Sequence, residues 1–387
     1  MTPRTVRLDR RAVLLLTIGS LAATGCGSTA RDVPAVLDPL PAAPVETAQA
    51  ATIKPVSYWA GVFARGWEYQ YQNSLPQSRS TDSWDHYNLS YSVDACVAMF
   101  RATQDRRYLD RALEFIENVA AAAAPSASLS GSQYHDGYRG WGSSKSGENG
   151  AEVPLYESYF WRYGTALLVA MRDTPAVYGN AGYRTRYDRL LTFAETHVFA
   201  KWYARGARKT IYRDRTHMAA HWALIAQNLA YVTSDPGRRA RYLGVATGID
   251  GQLRGQLRRS PVEPTAYFWS DVWGSAARPG QDVSHGNGVM AYVVEARDRG
   301  KSWTAADLAA FSATLTKVIW PGGRTYRAYV DGTGSDNGWF SDGFVKLGRS
   351  DPAVQLRLET HQVVNDQFAA NMALNARILR SGRKEGQ

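Results

Sequence analysis

The sequence predicts an all-α fold in which helical hairpins close into an α/α toroid. Few segments alternate apolar and polar residues with period two, whereas many place apolar residues at i, i+3, i+4 and i+7 over a dozen positions. These segments follow one another in pairs, which is typical of a superhelical solenoid or of a closed toroid. The toroid is favoured because the first helix of each pair begins with polar and aromatic residues and is rich in small ones, as suits an inner ring around a cavity.

The clearest hairpin joins helices at 87–100 and 108–116 through a turn at 102–105. Its turn resembles the inner-to-outer helix turn of α/α-toroid carbohydrate enzymes. Comparable pairs are predicted further along, with one helix before the first hairpin and one after the last. These pairs are 156–170 with 187–199, 217–231 with 239–253, and 285–296 with 305–318, and the single helices are 58–71 and 365–379.

The first 26 residues have the pattern of a bacterial export signal. Four arginines precede an apolar run that is too short to cross a bilayer, and small residues lead up to Cys26. This ending resembles the lipobox of bacterial lipoproteins, which implies that Cys26 is acylated and anchors the chain to the extracytoplasmic face of the cell membrane. The adjacent Arg10 and Arg11 also resemble a twin-arginine signal, so that route and the general export route both stay open.

The chain is expected to divide into a signal peptide at 1–25, a flexible tether at 26–52, a toroid domain at 53–380 and a tail at 381–387. The tether is rich in Ala, Pro, Val and Thr and has no apolar periodicity. Once Cys26 is acylated, Cys96 is the one cysteine left, so no intrachain disulfide is expected. We expect Cys96 to be buried in its helix. The domain is expected to act as a monomer.

The net charge of +10 favours acidic partners. Removal of the signal, which holds four arginines and one aspartate, lowers this charge to about +7. Outside the cell, such partners include uronate polymers, anionic wall polymers and lipid headgroups, and the expected substrate is an acidic polysaccharide or oligosaccharide. Nucleic acid is not expected, because no basic run with interleaved aromatic residues occurs.

Polar clusters recur where the first helix of each pair begins, and in a toroid these helix starts meet at one mouth. Free N–H groups at helix starts favour an anionic ligand. Helix capping explains aspartates such as Asp85 or Asp282, but not the histidines. The candidate binding and catalytic residues in these clusters are His86, Asn88, Tyr156, Glu157, His217, His221, Asp282, His285 and Asn287.

His217 and His221 are four residues apart on one helical face, a spacing that also suits two metal ligands. No glutamate of the HExxH pattern lies between them, so we predict neither a metal site nor another cofactor. One histidine is expected to act as acid or base and the other to orient it. Gly286 and Gly288 leave little bulk beside His285, which could therefore approach a substrate closely.

Two long Gly- and Ser-rich connections, 126–153 and 321–344, are predicted to be binding or lid loops. The first contains Tyr138, Arg139 and Trp141. Because flat rings stack on the apolar faces of sugars, tryptophans in loops are candidate platforms for a glycan. These tryptophans are Trp141, Trp269, Trp273 and Trp339.

This set of residues resembles the α/α-toroid polysaccharide lyases that act on uronic-acid polymers. The resemblance implies β-elimination, in which a base removes the proton beside the uronate carboxylate and an acid protonates the leaving sugar. It implies Asn88 or Asn287 with Arg139 as donors to that carboxylate, because such donors lower the barrier to the carbanion-like state. It further implies His217 or His285 as the base and Tyr138 or Tyr156 as the acid.

Two alternatives stay open beside the lyase. An inverting glycoside hydrolase on the same fold needs two carboxylates about 6.5–9.5 Å apart. Its candidates are Asp85, Glu152, Glu157, Asp271 and Asp282. A lipid-anchored glycan-binding protein would use the same aromatic residues without any reaction. The sequence therefore predicts a carbohydrate-active lipoprotein, with the reaction to be decided by the products.

Overall fold

A computed structural model describes residues 52–206, 211, 214–299 and 302–382. The predicted signal peptide, Cys26 and the tether up to residue 51 lie outside the described residues. The described chain is helical over most of its length, so the all-α prediction is confirmed. Its α-helices are α1 (Val56–Ser78), α2 (Ser83–Thr103), α3 (Arg106–Ala121), α4 (Pro154–Arg172), α5 (Pro175–Tyr178), α6 (Ala181–Phe193), α7 (Lys201–Arg205), α8 (Thr216–Val232), α9 (Pro236–Gln256), α10 (Val283–Arg299), α11 (Ala305–Ala313), α12 (Pro352–Leu358) and α13 (Asp366–Gly382).

Side-chain caps fix where many of these helices begin. The capping oxygen accepts a hydrogen bond from a backbone N–H of the first turn, which has no partner inside the helix. α11 begins with a full capping box, because Thr304 and Asp307 each bind the other's backbone N–H. Other caps of this kind are Asp82, Asp105, Asn180, Asp235 and Asp351.

The first helices of the hairpins form a closed inner ring. α2 packs against α4, α4 against α8, and α8 against α10. The 3₁₀ turn Phe344–Arg349 links α10 to α13, and α13 packs back against α2. α1, α3, α6, α9 and α11 lie outside this ring. The toroid prediction is confirmed, and the open solenoid is wrong because the last helix returns to the first hairpin.

Buried charges and amides fill the axis of the ring. The Lys346 ammonium donates to Asp94 Oδ1 at 2.8 Å and to Asn371 Oδ1 at 3.0 Å. Nearer the other end of the helices, Arg349 and Arg101 contact Glu295 at 2.7 and 3.2 Å. The cavity that remains is about 10 Å³, roughly the space of one water molecule. The axis is therefore a polar core that cross-links the inner helices, and the cavity in it is too small for a sugar.

All ten predicted helices are present, with ends that shift by a few residues. The largest change concerns 187–199, where the helix starts at Ala181 and continues through a π-helical turn at Ala194–Ala200 into α7. A second π-helical turn, Thr314–Ile319, extends α11. Two antiparallel ribbons of two residues per strand pair β1 (Ala124–Pro125) with β2 (Arg139–Gly140) and β3 (Arg258–Arg259) with β4 (Tyr267–Phe268).

Candidate active site

Four inner helices bring aromatic and imidazole rings together at their N-terminal ends. Tyr87 of α2 stacks on Tyr159 of α4 with ring centres 4.0 Å apart, and Tyr159 meets His221 of α8 at 5.0 Å. His217, one turn before His221, stacks on His285 of α10 at 4.4 Å. Clusters that are far apart in the sequence therefore share one mouth of the ring.

His217 is paired with Asp271, which lies in the loop between α9 and α10. The N–H of Thr216 donates to the Asp271 carbonyl at 2.8 Å, so the start of α8 is fastened to this loop. The carboxylate lies 3.4 Å from His217 Nδ1, a long contact that still attracts the imidazole proton. Burial lowers the pKa of His217 more than Asp271 raises it. The ring is therefore neutral at pH 7, with Nδ1 facing Asp271 and Nε2 as the acceptor.

His285 is paired with Asp282, the aspartate at the start of α10. One carboxylate oxygen accepts the backbone N–H of His285 at 3.0 Å, and the other lies 2.8 Å from its Nδ1. The same side chain thus caps the helix and orients the imidazole. Burial raises the pKa of Asp282, but its contacts with His285 and Gln281 outweigh burial and leave the pKa below its usual range. The His285 side chain is 48% exposed, so it faces the mouth.

The two carboxylates are joined by a shared donor. The Gln281 amide nitrogen donates to Asp271 Oδ1 at 2.9 Å and to Asp282 Oδ2 at 3.2 Å, so these two oxygens are at most about 6 Å apart. Burial raises the pKa of Asp271, yet its contacts with His217, Gln281 and Arg215 outweigh burial and lower the pKa to about 2. Both aspartates are therefore ionised at neutral pH.

A column of stacked rings fills the other side of the mouth. Trp84 stacks on Tyr87 at 4.9 Å, and Tyr87 stacks on Tyr159 at 4.0 Å. The Lys145 ammonium lies 3.7 Å over the Trp84 ring. Tyr156 is buried against Trp84, and its hydroxyl donates to Glu148 at 3.2 Å. Burial and the Glu148 carboxylate raise the pKa of Tyr156, so its hydroxyl keeps its proton and donates a hydrogen bond to Glu148 of the loop 126–153.

Trp339 is the half-buried tryptophan that the loop 321–344 contributes to the mouth. Its ring meets the edge of Tyr91 at 6.3 Å. Asn287 holds this loop: its amide nitrogen donates to the Trp339 carbonyl at 2.8 Å, and its oxygen accepts the N–H groups of Gly343 and Phe344 at 2.9 and 3.0 Å. Because Asn287 is fully buried and bonded to the protein, it places Trp339 and does not bind a ligand.

Asp342 supports the mouth from below. Its carboxylate accepts hydrogen bonds from Arg162 Nη2 at 2.6 Å, from the Tyr159 hydroxyl at 2.9 Å and from Tyr163. Although burial raises the pKa of Asp342, the Arg162 charge and these bonds lower it overall. Burial, with the Arg162 charge, holds the pKa of His221 well below its usual range. His221 is thus a neutral, buried neighbour of His217.

Three other predicted ligand residues are engaged inside the protein. The Glu157 carboxylate accepts from Lys201 Nζ at 2.7 Å and from Trp202 Nε1 at 2.8 Å. The His86 ring contacts the Ser80 carbonyl through Nε2 at 2.8 Å, and burial lowers its pKa to about 4. Trp141 is 1% exposed and donates to the Val119 carbonyl at 2.9 Å. These contacts join the inner helices to the outer layer, and the prediction of Trp141 as an exposed platform is wrong.

Tyr138 and Arg139 lie on the ribbon β1–β2 and contact the outer layer. The Arg139 guanidinium donates to the Ala123 carbonyl at 2.5 Å, and its backbone N–H donates to His197 at 3.3 Å. The Arg205 guanidinium lies 5.7 Å from the centre of the Tyr138 ring. Asn88 is on α2 and its amide donates to the Trp84 carbonyl at 2.9 Å. The proposed uronate-binding set is therefore spread over several places.

The sequence signals for the rest of the mouth were weak. Gln281 is directly before Asp282, but a glutamine in a loop has no characteristic pattern. Tyr87 and Tyr159 follow polar helix starts and look like core aromatics. Arg162 lies in an otherwise apolar stretch of α4, which is the one sign that a buried partner such as Asp342 is needed.

Within the described residues, no group of three or more His, Cys, Asp or Glu side chains is arranged to hold a metal ion. In the same part of the chain, no helix combines the length and the apolar character needed to cross a membrane.

Comparisons with known proteins yield one similar structure. No protein-family model matches the sequence. No curated protein matches it either. A solved structure of an inactive variant of the α-1,6-mannanase GH76A of Salegentibacter sp. HEL1_6, in complex with α-1,6-mannotetrose, aligns over 81% of this chain and 99% of its own, with 14% identity and a TM-score of 0.42.

Proposed function

We propose that this chain is a glycan-cleaving enzyme and that it hydrolyses glycosidic bonds at the mouth of the ring. The observation that carries the proposal is the stack of His217 on His285 at 4.4 Å, with an aspartate on each imidazole. Paired acid and base groups next to a half-buried aromatic ring suit proton transfer to and from a bound sugar. The candidate catalytic residues are His217, His285, Asp271 and Asp282.

The carboxylates that are candidates for hydrolysis differ in how far their side chains are exposed to solvent. Asp271 and Asp282 have side chains that are 27% and 32% exposed, whereas Glu152 and Glu157 are fully buried with Lys201. Asp271 and Asp282 are therefore the pair that a substrate can reach. The two oxygens that Gln281 contacts are at most about 6 Å apart. We propose double displacement, with Asp271 as the nucleophile, in place of the inverting reaction expected from the sequence.

The proposed steps follow from these positions. In its protonated form, His285, which is held by Asp282, gives its proton to the leaving glycosidic oxygen while the Asp271 carboxylate bonds to the anomeric carbon. In the second step, neutral His285 takes a proton from a water molecule, whose oxygen displaces Asp271 and completes the hydrolysis. His217 keeps Asp271 oriented through its Nδ1 proton. General acid–base assistance of this kind contributes about 10²–10⁴-fold to a rate.

The charges at the mouth favour a neutral sugar over a uronate. A uronate carboxylate at this position would need donors of its own, because Arg215 is already paired with Asp271 and His285 with Asp282. The donors predicted for that purpose are dispersed, since Asn287 is buried and Arg139 contacts the outer layer. These observations support a neutral glycan at the reacting position.

β-Elimination on a uronate glycan is the second candidate, favoured by one observation. His217 is neutral because burial lowers its pKa, and a neutral imidazole oriented by a carboxylate is a suitable base for a carbon-bound proton. His285 would then protonate the leaving oxygen. The products distinguish the two reactions, because elimination creates an ultraviolet-absorbing double bond and hydrolysis does not.

The test is a screen of neutral and uronate-containing oligosaccharides for new reducing ends and for unsaturated products. We expect reducing ends without ultraviolet absorbance and a loss of about 10²-fold or more in kcat for Asp271→Asn and His285→Ala. Asp188→Asn, on the exposed face of α6, is the control and should keep full activity. Unsaturated products would show that the reaction is β-elimination. Full activity of both Asp271→Asn and His285→Ala would refute this active site.

We also propose that the enzyme is lipid-anchored through Cys26 outside the cytoplasm. Support comes from the arginine-rich start, the short apolar run and the small residues before Cys26. The full-length chain should partition into detergent when expressed in a bacterium, and Cys26→Ser should remain in the aqueous phase. Equal partitioning of the two chains would contradict the anchor.

A further inference from the structure

Gln281 occupies a rigid position between two loops of the mouth. Its backbone N–H donates to the Trp269 carbonyl at 2.8 Å, and its own carbonyl accepts from the N–H of Val330 at 3.0 Å. The residue is fully buried. Because both of its backbone groups are bonded to different loops, its side chain projects from a fixed point.

We infer that Gln281 is a positioning residue that sets the spacing and the negative charge of Asp271 and Asp282. Its amide nitrogen carries two hydrogens, and it contacts one oxygen of each carboxylate, at 2.9 and 3.2 Å. The inference rests on the proposed function, since the two aspartates are its proposed catalytic carboxylates.

The need for such a donor follows from electrostatics. Two carboxylates about 6 Å apart repel each other, and the repulsion favours protonation of one of them. A neutral donor between them stabilises both anions and adds no charge that could pair with the substrate. Each bond also fixes one carboxylate rotamer, so the distance between nucleophile and acid partner does not depend on the substrate.

Other charged and titratable groups act on the same pair from the neighbouring elements. His217 faces it from α8, His285 from α10 and Arg215 from the segment before α8. Arg215 is half-exposed, so its attraction is screened by solvent and salt. Gln281 differs from all of them because it contacts both carboxylates and does not titrate.

The first test is Gln281→Met, which keeps the length of the side chain and removes both donors. We expect the acidic limb of the kcat/KM profile to move up by about one pH unit, because carboxylates that lose a hydrogen bond have a higher pKa. We expect kcat to fall by about tenfold, since misplacement of reacting groups slows chemistry, with little change in KM. Gln355→Met is the matched control, because Gln355 is another fully buried glutamine and its amide accepts from Asn375 in the distant α12–α13 region.

A second measurement separates this inference from the proposed function. Carboxyl ¹³C titration of Asp271 and Asp282 in the full-length protein requires no substrate, and both pKa values should rise in Gln281→Met and stay unchanged in Gln355→Met. If Gln281→Met does not fold, Gln281→Glu takes its place. This variant keeps the shape of the side chain and adds a charge, so it should also raise the pKa values of Asp271 and Asp282. Unchanged carboxyl pKa values in the folded variant would overturn the inference, even if the enzyme cleaves glycans. If both carboxyl pKa values rise in the variant but the wild type cleaves no glycan, the positioning role of Gln281 would be supported and the proposed function would be refuted.

Discussion

The molecule has two clusters of carboxylates near the mouth, and they are built in opposite ways. In the outer cluster, Glu152 and Glu157 share the Lys201 ammonium at 3.2 and 2.7 Å, and Arg205 contacts Glu152 at 3.1 Å. Both glutamates contact a cation, and their side chains are buried. In the inner cluster, Asp282 contacts His285 and Gln281, whereas Asp271 contacts Arg215, Gln281 and His217. Both aspartates remain partly exposed.

This difference shows how carboxylates can serve structure in one place and, in the proposed function, chemistry in another. Permanent cations neutralise the outer glutamates, so the cluster joins α4 to α7 and has no charge left for a substrate. Imidazoles can gain or lose a proton near neutral pH, so the inner cluster can change its charge during a reaction. Titratable groups that have a shifted pKa and lie in a cleft are better candidates for catalysis than fully buried ion pairs.

The largest expected effect that tests this contrast is the loss of stability in Glu152→Gln. Removal of this charge breaks one contact of Lys201, which keeps Glu157, and one contact of Arg205, which keeps Asp136. A broken buried pair of this kind costs about 3 kcal/mol. We expect the free energy of unfolding, measured by urea denaturation, to fall by about that amount. The kcat of the folded fraction should not change.

Arg186 and Glu117 provide the matched comparison, since they form a partly exposed pair at 2.6 Å on the outer helices. Glu117→Gln should cost less than about 1 kcal/mol because solvent screens the pair. If Glu152→Gln reduced kcat by more than about tenfold at constant stability, the outer cluster would belong to the active site and the contrast would fail.

Most of the fold could be predicted from the sequence because its signals are local. The period of 3.6 residues, the capping aspartates and the pairing of helices are visible in short windows, and all ten predicted helices are present. Closure of the ring was inferred from small and polar residues in the first helices. The short helix α12 and the π-helical turns could not be predicted, since they depend on packing in the outer layer.

The site was predictable only where residue type is informative. Histidines at helix starts are unusual, and the structure places His217 and His285 in contact. Roles that depend on what a side chain touches could not be read from position alone. Asn287 resembled a ligand residue but holds the Trp339 loop, and Gln281 gave no signal although it contacts both aspartates.

The smallest expected effect concerns the contribution of the inner cluster to stability. The folded pKa of Asp271 is about 2, below the usual 3.8, so its stabilising effect is present above about pH 4 and is lost as the pH falls toward 2. Because the side chain is 27% exposed, solvent reduces this contribution to about 1 kcal/mol. Acid titration of the free energy of unfolding should therefore show a shallower fall between pH 4 and 2 in Asp271→Asn than in the wild type. At pH 7 the variant should lose about 1 kcal/mol of stability while it loses most of its activity. A loss at pH 7 as large as that of Glu152→Gln would mean that the inner cluster is structural as well, and the distinction between the two clusters would no longer hold.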